Sequence, residues 1–178
     1  MKISHFMIRL TTALILSLAT FTYIATISEA SAKMPQVKLG DQIVNLEVAS
    51  STQEIQDGLM WRTALPETQG MVFLFPDKRA VRFWMFNCFI NLDMIFIKDG
   101  KIVEIAKNVP PCKSKTPEDC PLYPESGQIS VEKVIEVAGG FCDRHKVQIG
   151  DPVQIDLEKK IENTIRTQIS YPTERSTK

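Results

Sequence analysis

"RFWMFNCFINLDMIFIKDGKI", residues 82–102, decides how this chain folds. It reads as a buried strand leading into a hairpin, yet Asn87, Cys88, Asn91 and Asp93 interrupt its aromatic and aliphatic residues. Asp99-Gly100 is a strong two-residue hairpin turn. In the register that turn sets, Lys98 opposes Lys101, Ile97 opposes Ile102, Phe96 opposes Val103 and Met94 opposes Ile105. Met94, Phe96, Val103 and Ile105 then form a core face. The opposite face, with Asp93, Ile95, Ile97, Ile102 and Glu104, is mixed and is expected to be only partly covered.

The same grammar extends in both directions. Gly40-Asp41 separates two alternating apolar runs in "QVKLGDQIVNLEVAS" (36–50), a second hairpin signal. Ser51 and Glu54 stand in capping-box spacing and Gly58 offers a left-handed stop, which predicts a short helix over 52–57. A turn at 65–70 leads to a strand from Met71 to Phe75. A strand within 128–140 ends at Gly139-Gly140, and a last strand is expected over 152–157. No alternation of strands and helices, internal repeat or phosphate loop is visible. The fold class is therefore mainly β, a compact antiparallel sandwich or small barrel with one or two short helices.

The N-terminus reads differently. Lys2 and Arg9 precede 19 uncharged residues, Leu10 to Ser28, and Ala30-Ser31-Ala32 supplies the small residues of a signal-peptidase site. Residues 1–32 are expected to be a signal peptide, the alternative being an uncleaved anchor. The expected organisation is that signal, one β domain over 33–157, and a polar tail over 158–178. Cleavage leaves 19 basic against 20 acidic residues. That balance gives no electrostatic footprint for nucleic acid. The membrane is expected to be met only through the transient signal.

All four cysteines fall in the mature part, an even count that points to disulfides in an exported chain. Four cysteines allow three pairings. Cys112 and Cys120 flank the proline-rich loop "PPCKSKTPEDCPLYP" and are the favoured pair, which leaves Cys88 with Cys142.

Three pieces together resemble a known family: "DGLMWR…GMVFLF" (57–75), "FWMFNCFINLDMIFIKDGKIV" (83–103) and "VIEVAGGFCDRHKVQIGDPV" (134–153). They are similar to domain of unknown function 192 (DUF 192), and the loop at 110–124 resembles an exported, cyanobacterial-type subgroup. The resemblance covers roughly 37–157 and implies a compact, mostly antiparallel β fold of sandwich or jelly-roll type. It implies no activity. This chain has Phe86 and Cys88 where the family pattern has Lys and Thr, Asn91 where it has Pro, and Cys142 where it has no regular Cys. Two atypical cysteines in one chain support joining Cys88 to Cys142.

The candidate chemistry is sparse. Cys142-x-x-His145 offers two ligands, but the other cysteine spacings do not make paired zinc knuckles, so no metal is expected. Cys142 beside His145 could form a thiolate pair, yet the family pattern lacks that Cys, and no C-x-x-C redox pair exists. Asp93 and Glu136 lie in apolar strands, where a carboxyl is either paired or raised in pKa. The bland reading ties each to Arg62, Arg82 or loop amides. The functional reading gathers Arg62, Asn87, Asp93 and Glu136 at the rim of a pocket walled by Met60, Trp61 and Trp84. Phe83, Trp84, Phe86 and Phe89 could line a sugar or peptide groove, although aromatic residues more often fill cores.

These features point to an exported, non-catalytic binding or accessory module of the cell envelope, without a cofactor. Its partner would be a small molecule, a glycan or an envelope protein. One alternative is a small hydrolase or lyase using Asp93 or Glu136 with Arg62. Another is a structural component of an envelope complex.

Overall fold

The computed structural model describes residues 34–156. The expected signal segment and the polar tail from 158 lie outside the described residues. Six strands form one sheet: β1 (Gln36–Leu39), β2 (Gln42–Ala49), β3 (Gln69–Val81), β4 (Leu92–Lys98), β5 (Lys101–Val109) and β6 (Ile129–Ala138). Their spatial order is β1-β2-β3-β6-β4-β5. Two short helices, α1 (Thr52–Asp57) and α2 (Phe141–Arg144), accompany the sheet. None of the described helices is long and apolar enough to cross a membrane.

Local chemistry accounts for most of these elements. Leu39 pairs with Gln42 across Gly40-Asp41, the two-residue turn expected there. The Ser51 side chain accepts from the Glu54 amide while the Glu54 carboxylate accepts from the Ser51 amide, so α1 has its capping box. Those hydrogen bonds hold the Glu54 carboxyl down at about 2. Asp99 and Gly100 both adopt positive φ, as a type I′ turn requires.

The register beyond that turn departs from the simple expectation. Ile97 pairs with Ile102, but Phe96 faces Glu104, Ile95 faces Ile105 and Met94 faces Ala106. The extra residue is a β-bulge. It changes which residues stand opposite one another. The second face is also not half-open: every residue from Leu92 to Ile97 is buried.

Complete burial follows from the position of β4 and β6 inside the sheet, with a core on each side. One core holds Phe73, Phe75, Met85, Met94, Phe96, Val131 and Val134. The other holds Val37, Leu39, Val44, Leu46, Ile95, Ile97, Ile102, Ile135 and Phe141. Residues of both edge strands, β1 and β5, share the second core. Only a sheet curled towards that face can bring them together, so the architecture is a half-barrel.

The expected strand over 152–157 is instead an irregular segment that spans the two edges. The Val153 amide donates to the Gly100 carbonyl beside β5, and the Asp156 amide donates to the Gln36 carbonyl of β1. Val153 and Ile155 also pack on the second core. The segment thus covers parts of two edges that would otherwise expose unpaired backbone.

Two further expectations change. β2 and β3 run parallel, joined by α1 and a loop, so one crossover unit exists where none was read. A helix of only six residues carries too little apolar periodicity to announce such a crossover. Cys112 and Cys120 are bonded as expected, but Cys88 and Cys142 are free buried thiols. Cys88 belongs to the first core and Cys142 to the second, so the sheet lies between them. Thiol titration of the unreduced, denatured protein should therefore find two free thiols per chain, and the native protein should react far more slowly. A count of zero would contradict this arrangement.

Candidate functional site

Period-two alternation sends the two buried carboxyls to opposite faces. Asp93 and Glu136 are 0 % and 4 % exposed, the only buried charged residues among those described. Asp93 shares the face of Ile95 and Ile97. Its Oδ1 accepts from the amides of Asn108 (2.6 Å) and Gly140 (2.8 Å), and its Oδ2 accepts from that of Cys142 (2.7 Å). One side chain thus binds β4 to the end of β5 and to the start of α2. This is the structural role, a carboxyl tied to loop amides.

Glu136 has no such ties. It lies mid-strand in β6, opposite Met71 of β3 and Met94 of β4, on the face of the first core. Among the described residues no group bonds to its carboxyl, and burial alone pushes it up to about 8. A carboxyl raised this way is mostly neutral at pH 7, able to donate one hydrogen bond and accept others.

Glu136 opens into a cavity of about 390 Å³ between the sheet and α1. Phe73 and Phe75 line the sheet side, Ile55, Leu59 and Met60 the helix side, and Phe83, Trp84 and Cys88 the loop after β3. Phe73 and Phe83 meet edge to face at 5.0 Å. Burial, together with the nearby Glu136, pushes the Cys88 thiol up to about 12, which leaves it a poor nucleophile. Arg79 and Arg82 also line the cavity from the exposed end of β3, and neither has an acidic partner among the described residues.

Gly58 makes the roof possible. With φ 46° and ψ −128° it adopts a backbone that other residues resist. A Cβ there would meet the Phe73 ring at 3.2 Å and stand 4.0 Å from Glu136 Oε2. Beyond it, Trp61 and Asn87 both take left-handed φ values, and the Trp61 amide donates to the Asn87 carbonyl at 2.8 Å. That bond joins the two loops that bring Met60 and Cys88 to the cavity. Trp61 and Phe89 are left exposed in an edge-to-face pair at 5.6 Å.

The four-residue cluster expected from the sequence does not assemble. Glu136, Trp84 and Met60 do line one cavity. Asp93 is on the other face of the sheet. Arg62 pairs with Glu47 at 2.5 Å, and Asn87 acts through its backbone, its side chain reaching only Met60 Sδ at 4.0 Å. Arg79, Phe73 and Gly58 were not expected at the site. Arg79 follows a bulge in β3, and nothing in the local sequence marks which way it turns.

His145 sits apart from the cavity. Its Nδ1 meets Asp41 at 2.6 Å and its Nε2 meets Glu67 at 3.0 Å. Hydrogen bonding to the Asp41 carboxylate, and then to that of Glu67, raises its pKa. Held between two carboxylates, it clasps the β1–β2 turn to the segment before β3 and has no free nitrogen for catalysis.

Comparison with known proteins places this geometry. The profile of DUF192, described as an uncharacterized ACR family, matches residues 35–155. The chain belongs to the DUF192 family. A protein of unknown function from Novosphingobium aromaticivorans DSM 12444 is similar in structure, with a TM-score of 0.58 and 29% identity over 71% of this chain and 89% of that one. A protein from Sinorhizobium meliloti 1021, described as a proposed transcription regulator, gives a TM-score of 0.56 and 27% identity over 68% and 91% of the two chains. No curated protein matches. The DUF192 match therefore establishes the fold and leaves the chemistry to the cavity.

Two measurements separate the roles of the buried carboxyls. Asp93→Ala takes the acceptor from three amides, the buried one of Cys142 among them, and should cost about 3 to 5 kcal/mol in urea unfolding. Glu136 and His145 both have raised folded pKa values. Stability from Glu136 is complete below its unfolded value of 4.5 and is lost as pH rises towards about 8. Stability from His145 is complete below 6.5 and is lost as pH rises through its raised value. The melting temperature should fall between pH 5 and 8.5, and less steeply in Glu136→Gln. Equal slopes in the two proteins would contradict the assignment.

Proposed function

We propose that this DUF192 protein is an exported, non-catalytic binding module that holds a small molecule over Glu136. One observation carries the reading: the Glu136 carboxyl, without a partner among the described residues, opens into an aromatic-walled cavity. A ligand that covers this carboxyl must supply its hydrogen bond, since a polar group buried without one is costly. The volume fits a small ligand, at the low end of the roughly 300–1,000 Å³ of small-molecule sites.

A binding role is favoured over a hydrolase or lyase because the carboxyls are on separate faces and Arg62 is engaged by Glu47. Catalysis by thiol is disfavoured by the burial of Cys88 and Cys142, which raises both thiols. Export is supported by the uncharged N-terminal run, the Ala30-Ser31-Ala32 site and the loop disulfide. On this reading the membrane is met only through the signal, and the near-neutral mature chain offers no nucleic-acid surface. The exposed Trp61–Phe89 pair favours a second reading, in which the module also docks on an envelope glycan or protein.

Thermal-shift screening of the mature protein against small amphipathic molecules and glycans tests the main reading. A ligand present at 100 times its Kd stabilises the folded state by about 2.7 kcal/mol. The expected hit should raise the melting temperature of the wild type and do so less in Trp84→Ala and Glu136→Gln. The binding reading fails if no compound shifts it, or if the hit ignores both substitutions. N-terminal sequencing should find the envelope form starting at Lys33; a chain retained with its first residues in the cytoplasm would remove the export claim.

A further inference from the structure

Deepening the cavity reading, on which this inference rests, we propose that the occupant is an elongated ampholyte. Its amine would meet Glu136 and its acidic group would meet Arg79 and Arg82, with an apolar body between. Three independent features converge on that class.

The first is the inner end. Glu136 is 4 % exposed, and no described residue bonds to its carboxyl. An ammonium group would supply both hydrogen bonds and the opposite charge that burial denies it, and charge-assisted bonds of this kind are the strong ones. The other titratable groups lining the cavity besides the arginines are Cys88 and Asp57. Cys88 keeps its proton, and Asp57 on α1 already accepts from Gln53 Nε2 at 2.8 Å.

The second is the mouth. Arg79 and Arg82 are exposed guanidinium groups without a described acidic partner, and such groups bind carboxylate or phosphate in a bidentate fork. The Arg79 guanidinium carbon lies 5.9 Å from the centroid of the Phe75 ring, a cation–π contact that places the charged head against the cavity wall.

The third is the distance between the ends. Arg79 pairs with Val131, five residues from Glu136 along β6, so the two anchor points stand roughly 17 Å apart at the backbone. Arginine reaches back over part of that length. The interval that remains is lined by Phe73, Phe75 and Phe83, which suit an apolar body and attract a cation at their faces. An α-amino acid is too short to join the two ends.

The test uses 8-aminooctanoate with octanoate and 1-aminooctane as single-ended controls. Each is titrated calorimetrically into the mature protein at pH 7, in two buffers of different protonation enthalpy. 8-Aminooctanoate should bind at least about ten-fold more tightly than either control. It should release protons as Glu136 ionises, since burial leaves Glu136 mostly neutral in the empty cavity. Glu136→Gln, checked for folding by circular dichroism, should abolish the release and reduce 8-aminooctanoate to the affinity of octanoate. The pair Arg79→Gln and Arg82→Gln should weaken both acids and leave 1-aminooctane unchanged. Octanoate binding as tightly as 8-aminooctanoate, or no proton release, overturns the amine end. 1-Aminooctane binding as tightly overturns the acidic end. Should none of the three bind, the ampholyte assignment falls, while a hit of other chemistry in the wider screen would leave the binding module standing.

Discussion

Adjacent residues of a strand leave on opposite faces, and β4 over Leu92–Ile97 and β6 over Val134–Val137 are buried on both. That constraint governs the rest of the molecule. With no solvent face there to receive a polar side chain, a carboxyl in these buried stretches must be satisfied within the protein or left facing a cavity. Asp93 follows the first course and Glu136 the second. One carboxyl becomes a fastening for α2 and β5, and the other becomes the inner wall of a pocket.

The two faces are completed by different means. On the concave face, apolar residues of all six strands converge, and the irregular segment after Gly150 spans both edges. On the other face the cover is α1, the loop that carries Trp84 and Cys88, and the disulfide-closed loop from Cys112 to Cys120. Loops pack less completely than strands, so the cavity lies on that side. The left-handed residues Gly58, Trp61 and Asn87 cluster there as well. Backbone strain of this kind, of order 1–3 kcal/mol for each non-glycine residue, persists only where surrounding structure enforces it, and it gathers at ligand sites.

Particular residues show how far local chemistry can be read. Ser51, Glu54 and Gly58 announce α1, and Asp99-Gly100 and Gly40-Asp41 announce their hairpins, because each signal is completed within a few residues. The bulge after Phe96 does not announce itself, since it depends on how β5 meets the rest of the sheet. The parallel β2–β3 pair is equally hidden behind a helix of one and a half turns. Pairing Cys88 with Cys142 looked reasonable as an even count, but connectivity is a matter of which face each Cβ points to.

The sequence by itself determined a β domain of the DUF192 family, its turns, its short capped helix and the two carboxyls set in apolar strands. Those depend on contacts between near neighbours or on motifs held in order along the chain. The tertiary structure alone decided that Asp93 is a fastening, that Glu136 stands over a cavity, that Arg62 is paired with Glu47, and that Arg79 and Arg82 have no acidic partner among the described residues. Which strand lies beside which, and which face is roofed by a loop, are set by contacts between distant parts of the chain. Those pairings give the same residue type, a buried carboxyl in a β-strand, two different roles.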